Sequence, residues 1–303
     1  MRRKVVKQGN QAYTVTLPIA WVRRNKIDET REVEMSDSGK SIRITNEGKI
    51  RIKKAKLKIE DMNSRNIYRH LSALYAKGID EIEIESSKDL TSKILTGLNN
   101  TIGYALLCKK DNIYQIKDIG GSTYSDLDEI FKRVFQMILS FYEASINDIF
   151  GEEKETEQGL RIRDTEVNKF CLYLQRSINK MSYPNSTRGR ILFTYSFEIE
   201  KIGDEITRFW RTNIEYNPKK SEEFKKFALK SLGVLDQAFE LYYQFNSEKL
   251  EKLYASRKKI RAESLKLKAT DKHTVRMIRH IVKIIEDASD LSHLTLMRRL
   301  KSE

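Results

Sequence analysis

Two pairs of carboxylates have the residue types and the spacing to bind a cation. Glu200 and Asp204 form the first pair, and Glu286 and Asp290 form the second, each within a segment of helical apolar periodicity. Side chains four residues apart stack on one helix face, about 5–6 Å from each other. Two negative charges at that distance repel unless a proton, an Arg or Lys of a neighbouring helix, or a metal ion neutralises them.

The position of these pairs is more informative than their spacing. Among 43 acidic residues in a chain of 303, about six acid pairs with this spacing are expected by chance. Both pairs, however, border a stripe of apolar residues at steps of three and four, which is typical of a core-facing helix side. Carboxylates that project between the helices of a bundle are common ligands of Fe, Mn, Mg or Zn. A salt-bridged surface strip is the alternative, and spacing alone favours it.

The helices that must position these pairs lie in the last of three predicted regions. Residues 121–303 contain six long amphipathic segments, and the acidic pairs lie on the third and the sixth, 86 residues apart. This arrangement predicts a helical bundle in which a three-helix unit is used twice. Residues 51–120 predict a small α/β connecting unit, and residues 1–50 predict short β-strands around a short helix. The predicted fold is therefore multidomain and mainly α.

Composition and charge restrict the class of protein. No apolar run approaches the roughly 20 residues of a membrane helix, and the start of the chain has no apolar segment typical of a signal peptide. We therefore expect a cytoplasmic protein without membrane insertion. Cys108 and Cys171 lie among apolar residues without CxxC spacing, which predicts two buried thiols and no zinc or redox site.

Positive charge is concentrated at the N-terminus. Residues 1–56 hold fifteen Lys or Arg against six Asp or Glu, a net charge of +9 out of +14 for the whole chain. Such an excess indicates an anionic partner, although a solvated basic face would give the same count. Because a region of about 50 residues buries little apolar surface, we expect it to pair with a second copy of itself.

The segments "EIEKIGDEI" and "IIEDASDL" resemble the E-R-I-G-D-H-A signature of the PhoU phosphate-uptake regulators and a degenerate second copy of it. The resemblance covers about residues 122–303 and implies a bundle of two three-helix repeats. It places the two acidic pairs on the family's metal-ligand positions, and thus implies a divalent or ferric ion such as Fe, Zn, Mn or Mg. The chain departs from the family where Arg208 and Leu294 replace a frequent Asn, and where Ser289 replaces the second glycine. His293 could then serve as a substitute ligand.

The segment "VTLPIAWVRRNKIDETREVEM" resembles the SpoVT/AbrB swapped-hairpin family over roughly residues 3–46. This resemblance implies an interlaced dimer that binds double-stranded DNA mainly through arginines. Arg23 and Arg24 match the family's Arg-Arg pair, whereas the loop "QGNQAY" lacks the family's other arginine. Nearby cations complete the predicted DNA-binding set, which is Arg2, Arg3, Lys4, Lys7, Arg23, Arg24 and Lys26. A head used only for dimerisation is the alternative.

Together, these features lead to the hypothesis of a dimeric transcriptional regulator of phosphate uptake. Its head would bind operator DNA, and its helical body would sense phosphate status through a metal, inorganic phosphate, or a transporter or kinase partner. In this hypothesis the two acidic pairs meet around one shared cation, and the state of the body changes the placement of the heads and hence the affinity for DNA.

Two other functions are consistent with the sequence. In the first, the protein binds no DNA, and its bundle restrains the ATPase of a phosphate ABC transporter or its kinase. In the second, it is an enzyme with a carboxylate-bridged metal. The helices lack the Glu-x-x-His pairs of di-iron enzymes, and the chain has no Gly-rich phosphate loop. The sequence therefore disfavours an enzyme.

Overall fold

Short antiparallel hairpins make up the first of two units into which the chain divides, Met1–Lys53 and Lys54–Glu303. We call the first unit the head and the second the body. The computed structural model describes residues 3–9, 12–37, 42–45, 52–60, 62–120, 127–151, 155–180, 187–269 and 271–300.

In the head, each pair of strands forms a separate two-stranded sheet. Strand β1 (Val5–Gln8) pairs with β2 (Ala12–Val15), and β3 (Glu34–Asp37) pairs with β4 (Ile42–Thr45). Helices α1 (Ile19–Arg24) and α2 (Ile27–Thr30) lie between the two hairpins in the chain. Pro18 precedes α1, where its missing N–H and fixed φ suit a helix start.

The head of a single chain has almost no core. Among its described residues, Ile27 is the one buried apolar side chain. Seven apolar side chains of the strands and of α1 are 42–71% exposed, namely Val5, Val6, Tyr13, Val15, Ile19, Met35 and Ile42. A lone two-stranded hairpin is at best marginally stable in water, so these hairpins need additional apolar contacts.

The body begins with a sheet that carries two helices on one face. Its elements are β5 (Lys54–Lys58), α3 (Ser64–Ala76), β6 (Glu81–Glu85), α4 (Thr91–Leu98), β7 (Tyr104–Lys110) and β8 (Ile113–Asp118). The strand order is β5-β6-β8-β7, with β5 and β6 parallel and the other pairs antiparallel. Alternate residues of β6 and β8 are buried in one apolar cluster with residues of α3 and α4. On the other face, Lys54 and Lys56 form ion pairs of 2.6 Å with Glu81 and Glu83.

Long helices form the rest of the described body. They are α5 (Leu127–Phe150), α6 (Glu157–Lys180), α7 (Thr187–Tyr216), α8 (Glu222–Tyr243), α9 (Ser247–Ser264) and α10 (Lys272–Arg299). Helices α5, α6 and α7 pack against one another, and so do α8, α9 and α10, while α7 packs on α10 and α5 on α8. Aromatic rings fill part of the shared core, as where Phe135 and Phe239 stack with centroids 4.3 Å apart. None of the described helices is long and apolar enough to cross a membrane.

Arg176 of α6 joins the sheet to these helices. Its side chain is 1% exposed, and its guanidinium donates to the carboxylates of Asp80 (3.2 Å) and Asp118 (2.5 Å). It also donates to the carbonyls of Tyr75 and Ile79, at 3.1 and 2.7 Å. Its charge is thus matched by two carboxylates and its N–H groups by several acceptors, which is the condition for burying an arginine at tolerable cost.

The surroundings of Arg176 strengthen this junction. The rings of Tyr75 and Tyr104 lie 4.8 and 5.1 Å from its guanidinium carbon, which adds cation–π attraction. Lys180, one turn further along α6, also binds Asp80. Residues 54–120, predicted from sequence to belong to a separate connecting domain, therefore form one compact unit with the long helices.

The two cysteines differ from the expectation. Cys171 is buried on α6 as predicted, but Cys108 is exposed on β7, so the prediction of two buried thiols was wrong for Cys108. Strand β7 has an irregular register beside this residue, between Leu106 and Cys108. A β-bulge of this kind changes which face a side chain occupies, and the local apolar pattern of "GYALLCKK" does not reveal it.

Replacing Arg176 with alanine should strongly destabilise the body. The change leaves the carboxylate of Asp118 partly buried without its cation and removes one of the two cations that bind Asp80, and we expect a loss of about 3–5 kcal/mol in the free energy of unfolding. Urea unfolding followed by circular dichroism measures it. Arg161→Ala is the control, because Arg161 forms an exposed i,i+4 pair with Glu157 and should cost less than about 1 kcal/mol. Equal losses in the two variants would contradict the assigned role of Arg176.

Candidate functional site

The two acidic pairs lie in two different grooves of the body. Glu200 and Asp204 line a groove formed by α3, α6 and α7, whereas Glu286 lines a groove between α9 and α10. No group of three His, Cys, Asp or Glu side chains in the described part of the chain is placed to hold a metal ion. The expectation that both pairs meet around one shared cation is therefore wrong.

The two grooves nevertheless correspond position by position. The offset of 86 residues that relates Glu200 to Glu286 also relates the residues that face them on the preceding helix. Lining residues Asn168, Leu172 and Gln175 of α6 in the first groove thus correspond to Tyr254, Lys258 and Arg261 of α9 in the second. The framework is the same, but the side chains opposite the carboxylates are neutral in one groove and mostly cationic in the other.

In the first groove, of about 640 Å³, Glu200 lacks a cationic partner. Within the described residues it forms no ion pair, and Gln175 of α6 lies beside it, almost fully buried. Burial, reinforced by the negative charges of Asp204 and Asp164, raises the pKa of Glu200 to about 7. Its carboxylate is therefore poised to take up a proton or a cation near neutral pH.

The neighbours of Glu200 are compensated in other ways. Asp204 is about half exposed, and its carboxylate accepts a hydrogen bond of 2.9 Å from Arg208. Arg208 occupies the position at which the PhoU resemblance implies Asn. Burial raises the pKa of Asp164, while a 2.6 Å hydrogen bond from Thr207 opposes the shift. Arg65 and Arg69 of α3 lie exposed on the groove's rim. This groove therefore combines one uncompensated carboxylate with peripheral positive charge.

In the second groove, of about 620 Å³, both carboxylates face arginines of α9. Glu286 pairs with Arg261 at 3.2 Å, and Asp290 lies 3.8 Å from Arg257. An arginine of a neighbouring helix was one of the three means of neutralisation expected from the sequence. His293 is exposed and is not among the residues that line this groove, so no observation here supports it as a substitute ligand.

The predicted DNA-binding residues are accessible in the head. Arg3, Lys4, Lys7, Arg23, Arg24 and Lys26 are all exposed, whereas Arg2 lies outside the described residues. Arg23 and Arg24 occupy the last turn of α1. Lys26 lies 3.9 Å from Glu29, and the other described members of the set form no ion pair with described residues. Their charges are therefore available to an anionic partner.

A second basic region, which was not predicted from the sequence, lies in the body. Residues 252–283, which span most of α9 and the first half of α10, hold eleven Lys or Arg against two Asp or Glu, a net charge of +9. Averaged over residues 121–303, this charge is masked by acidic segments elsewhere. A charge count in a short sliding window would have found it. The Arg176 junction, in contrast, has no local signal, because its carboxylate partners lie 58 and 96 residues away.

No family model, curated protein or solved structure matches this chain.

Replacing Glu200 with glutamine should make the body more stable at alkaline pH. Because the folded-state pKa is raised, the stability that protonated Glu200 contributes is present below the unfolded pKa of about 4.5 and is lost as the pH rises towards 7. The variant should gain about 1–2 kcal/mol in the free energy of unfolding at pH 8 and change little at pH 4.5.

Urea unfolding at both pH values measures this difference. Glu215→Gln is the control, since Glu215 lies exposed on the same helix. A gain for Glu200→Gln that is the same at both pH values, or that is matched by Glu215→Gln, would contradict the assignment.

Proposed function

We propose that this protein is a dimeric, phosphate-responsive transcriptional regulator of phosphate uptake that binds DNA through its head. The observation that carries the proposal is that the head of a single chain exposes its apolar side chains together with a set of exposed cations, five of which form no ion pair with described residues. The first property calls for a partner that completes a core, and the second calls for a polyanion.

A second copy of the head is the simplest partner. Val5, Val6, Tyr13, Met35 and Ile42 lie on short strands that cannot bury them within one chain. Two identical heads would each supply half of a shared apolar core, as the swapped-hairpin resemblance implies. The burial of apolar surface then stabilises both heads at once, by about 25 cal/mol for each Å² removed from water.

Double-stranded DNA is the partner that we propose for the cations. Lysine and arginine contacts to phosphates provide affinity that falls steeply with salt, and arginine forks can also read guanine in the major groove. In a dimer, Arg23 and Arg24 would be present twice, related by a two-fold axis. Such a pair suits an operator with inverted half-sites.

The body would supply the response to phosphate status. The equivalence of its two grooves at an offset of 86 residues supports a PhoU-like bundle of two three-helix repeats. A metal ion would bind in the first groove at Glu200, which has no cationic partner among the described residues, and at Asp204 one turn away, which would exchange its ion pair with Arg208 for the metal. With two protein carboxylates, such a site would suit a largely hydrated ion such as Mg²⁺. A metal does not fit the second groove, where arginines already face both carboxylates.

A gel-shift titration with DNA from upstream of phosphate-transport genes tests the DNA-binding role. We expect binding that weakens as salt rises, and at least about tenfold weaker binding for Arg23→Ala/Arg24→Ala. The control Arg133→Ala/Arg161→Ala removes the same charge from exposed pairs on α5 and α6 and should bind normally. If the wild-type protein bound no DNA at low salt, the DNA-binding role would be refuted, and the alternative of an adaptor that restrains a phosphate transporter or its kinase would be favoured.

Sedimentation velocity tests the dimer. Val6→Asp/Tyr13→Asp places charges among the exposed apolar residues of β1 and β2, and we expect this variant to sediment as a monomer where the wild type is a dimer. Leu95→Asp is the control, because Leu95 is a similarly exposed apolar residue, at 48%, on α4 of the body. A wild-type monomer at micromolar concentration, or a dimer that survives the head substitutions unchanged, would refute pairing through the head.

A further inference from the structure

The groove between α9 and α10 presents three cations on neighbouring turns of one helix. Arg257, Lys258 and Arg261 of α9 line it together with Glu286 of α10. Tyr254, Leu265 and Val282 add apolar surface, which lowers the local dielectric and strengthens any ion pair formed there. The three cations are part of the basic region 252–283, whose net charge of +9 raises the local concentration of anions.

Not every hydrogen-bond donor of the arginines in this groove has an acceptor within the described residues. The Nε of Arg257 is buried and has no hydrogen-bond partner in the described structure, and its ion pair with Asp290, at 3.8 Å, is longer than a hydrogen bond. Arg261 approaches Glu286 through Nε at 3.2 Å. Lys258 forms no ion pair within the described residues. A buried guanidinium donor without an acceptor is costly, so an additional acceptor at Arg257 would be stabilising.

We propose that this groove binds a phosphate-class oxyanion through Arg257, Lys258 and Arg261. The guanidinium fork matches two oxygens of a tetrahedral oxyanion, and the ammonium group adds a third donor. The bound anion competes with Glu286 and Asp290 for the same arginines, so binding releases carboxylates of α10 from α9. This inference rests on the proposed function, because the bound anion would be the signal to which the body of a phosphate-responsive regulator responds.

A single small anion fits this groove better than a charged polymer. Glu286 lines the opposite wall and Asp290 lies one turn further along α10, so their charges repel a chain of phosphodiesters or a layer of anionic lipid headgroups. A small dianion needs only to exchange with these two carboxylates. The first groove offers no equivalent site, since Gln175 and Leu172 occupy the positions of Arg261 and Lys258.

Isothermal titration calorimetry of the full chain with inorganic phosphate, at low ionic strength and neutral pH, tests the site. We expect saturable binding at one site per chain. It should weaken at least about tenfold in Arg257→Ala/Arg261→Ala and stay unchanged in Arg133→Ala/Arg161→Ala, which removes the same charge elsewhere. No saturable heat with phosphate, or equal affinity in the Arg257/Arg261 variant, would overturn the proposal.

The variant Glu286→Gln/Asp290→Asn should change the phosphate affinity in the opposite direction. It removes the competing carboxylates, so phosphate should bind about threefold tighter or more. A groove that used these carboxylates to hold a metal would give no gain in phosphate affinity, and titration with Mn²⁺ would show binding lost in the same variant. That result would overturn the proposal, even if the arginine variant failed to fold.

Two further titrations establish the source of the anion and separate this inference from the proposed function. Binding to vesicles with phosphatidylserine or to oligonucleotides through Arg257 and Arg261, with no response to inorganic phosphate, would refute a site for a small anion. If the protein bound phosphate but no DNA, the anion site would be supported and the DNA-binding function would be refuted. If the protein bound DNA through Arg23 and Arg24 but bound no phosphate, the DNA-binding function would be supported and the anion site would be refuted.

Discussion

The burial of one charge, that of Arg176, determines how the body is built. A guanidinium that is 1% exposed is tolerable only if carboxylates and carbonyls are fixed around it. Asp80 directly precedes β6 and Asp118 ends the paired strand β8, so α6 and the sheet cannot move apart without exposing the charges of Arg176 and of both carboxylates. Gly103 fits the same constraint. Its φ is +92°, and a Cβ there would lie 2.7 Å from the carboxylate of Asp118. Through α6, this junction also fixes α3 over the first acidic groove.

The two acidic pairs show how one framework supports two kinds of chemistry. Each pair faces the preceding helix of its own helical triple, and equivalent positions on that helix determine its electrostatic state. Glu200 faces the neutral Gln175, and burial together with the charges of Asp204 and Asp164 raises its pKa, whereas Arg261 compensates Glu286 directly. In our proposal the first groove would therefore take up protons or cations, and the second, which is lined by Arg257, Lys258 and Arg261, would bind anions. Opposite responses on opposite grooves would let one bundle integrate two solutes.

Much of this architecture was predictable from local pattern, and the rest was not. The 3.6-residue periodicity identified the six long helices, and alternation identified the strands of the sheet. The spacing of Glu200 and Asp204 placed both on one helix face, but their distance from Glu286 depended on helix packing that no spacing encodes. Arg176 looked like any other charged residue of α6, because its partners are distant in sequence. Cys108 was misassigned because its apolar neighbours in the sequence indicated burial, whereas β7 exposes it beside a register shift between Leu106 and Cys108.

Because the head of a single chain has almost no core, its folding would depend on the concentration of the protein in the cell. If folding of the head is completed only by association, its folded fraction rises with chain concentration instead of being a fixed property of the sequence. At low abundance the hairpins would be frayed and open to proteases, and above a threshold they would become ordered together. The amount of chain would then act as an input of its own, alongside any solute that the body detects.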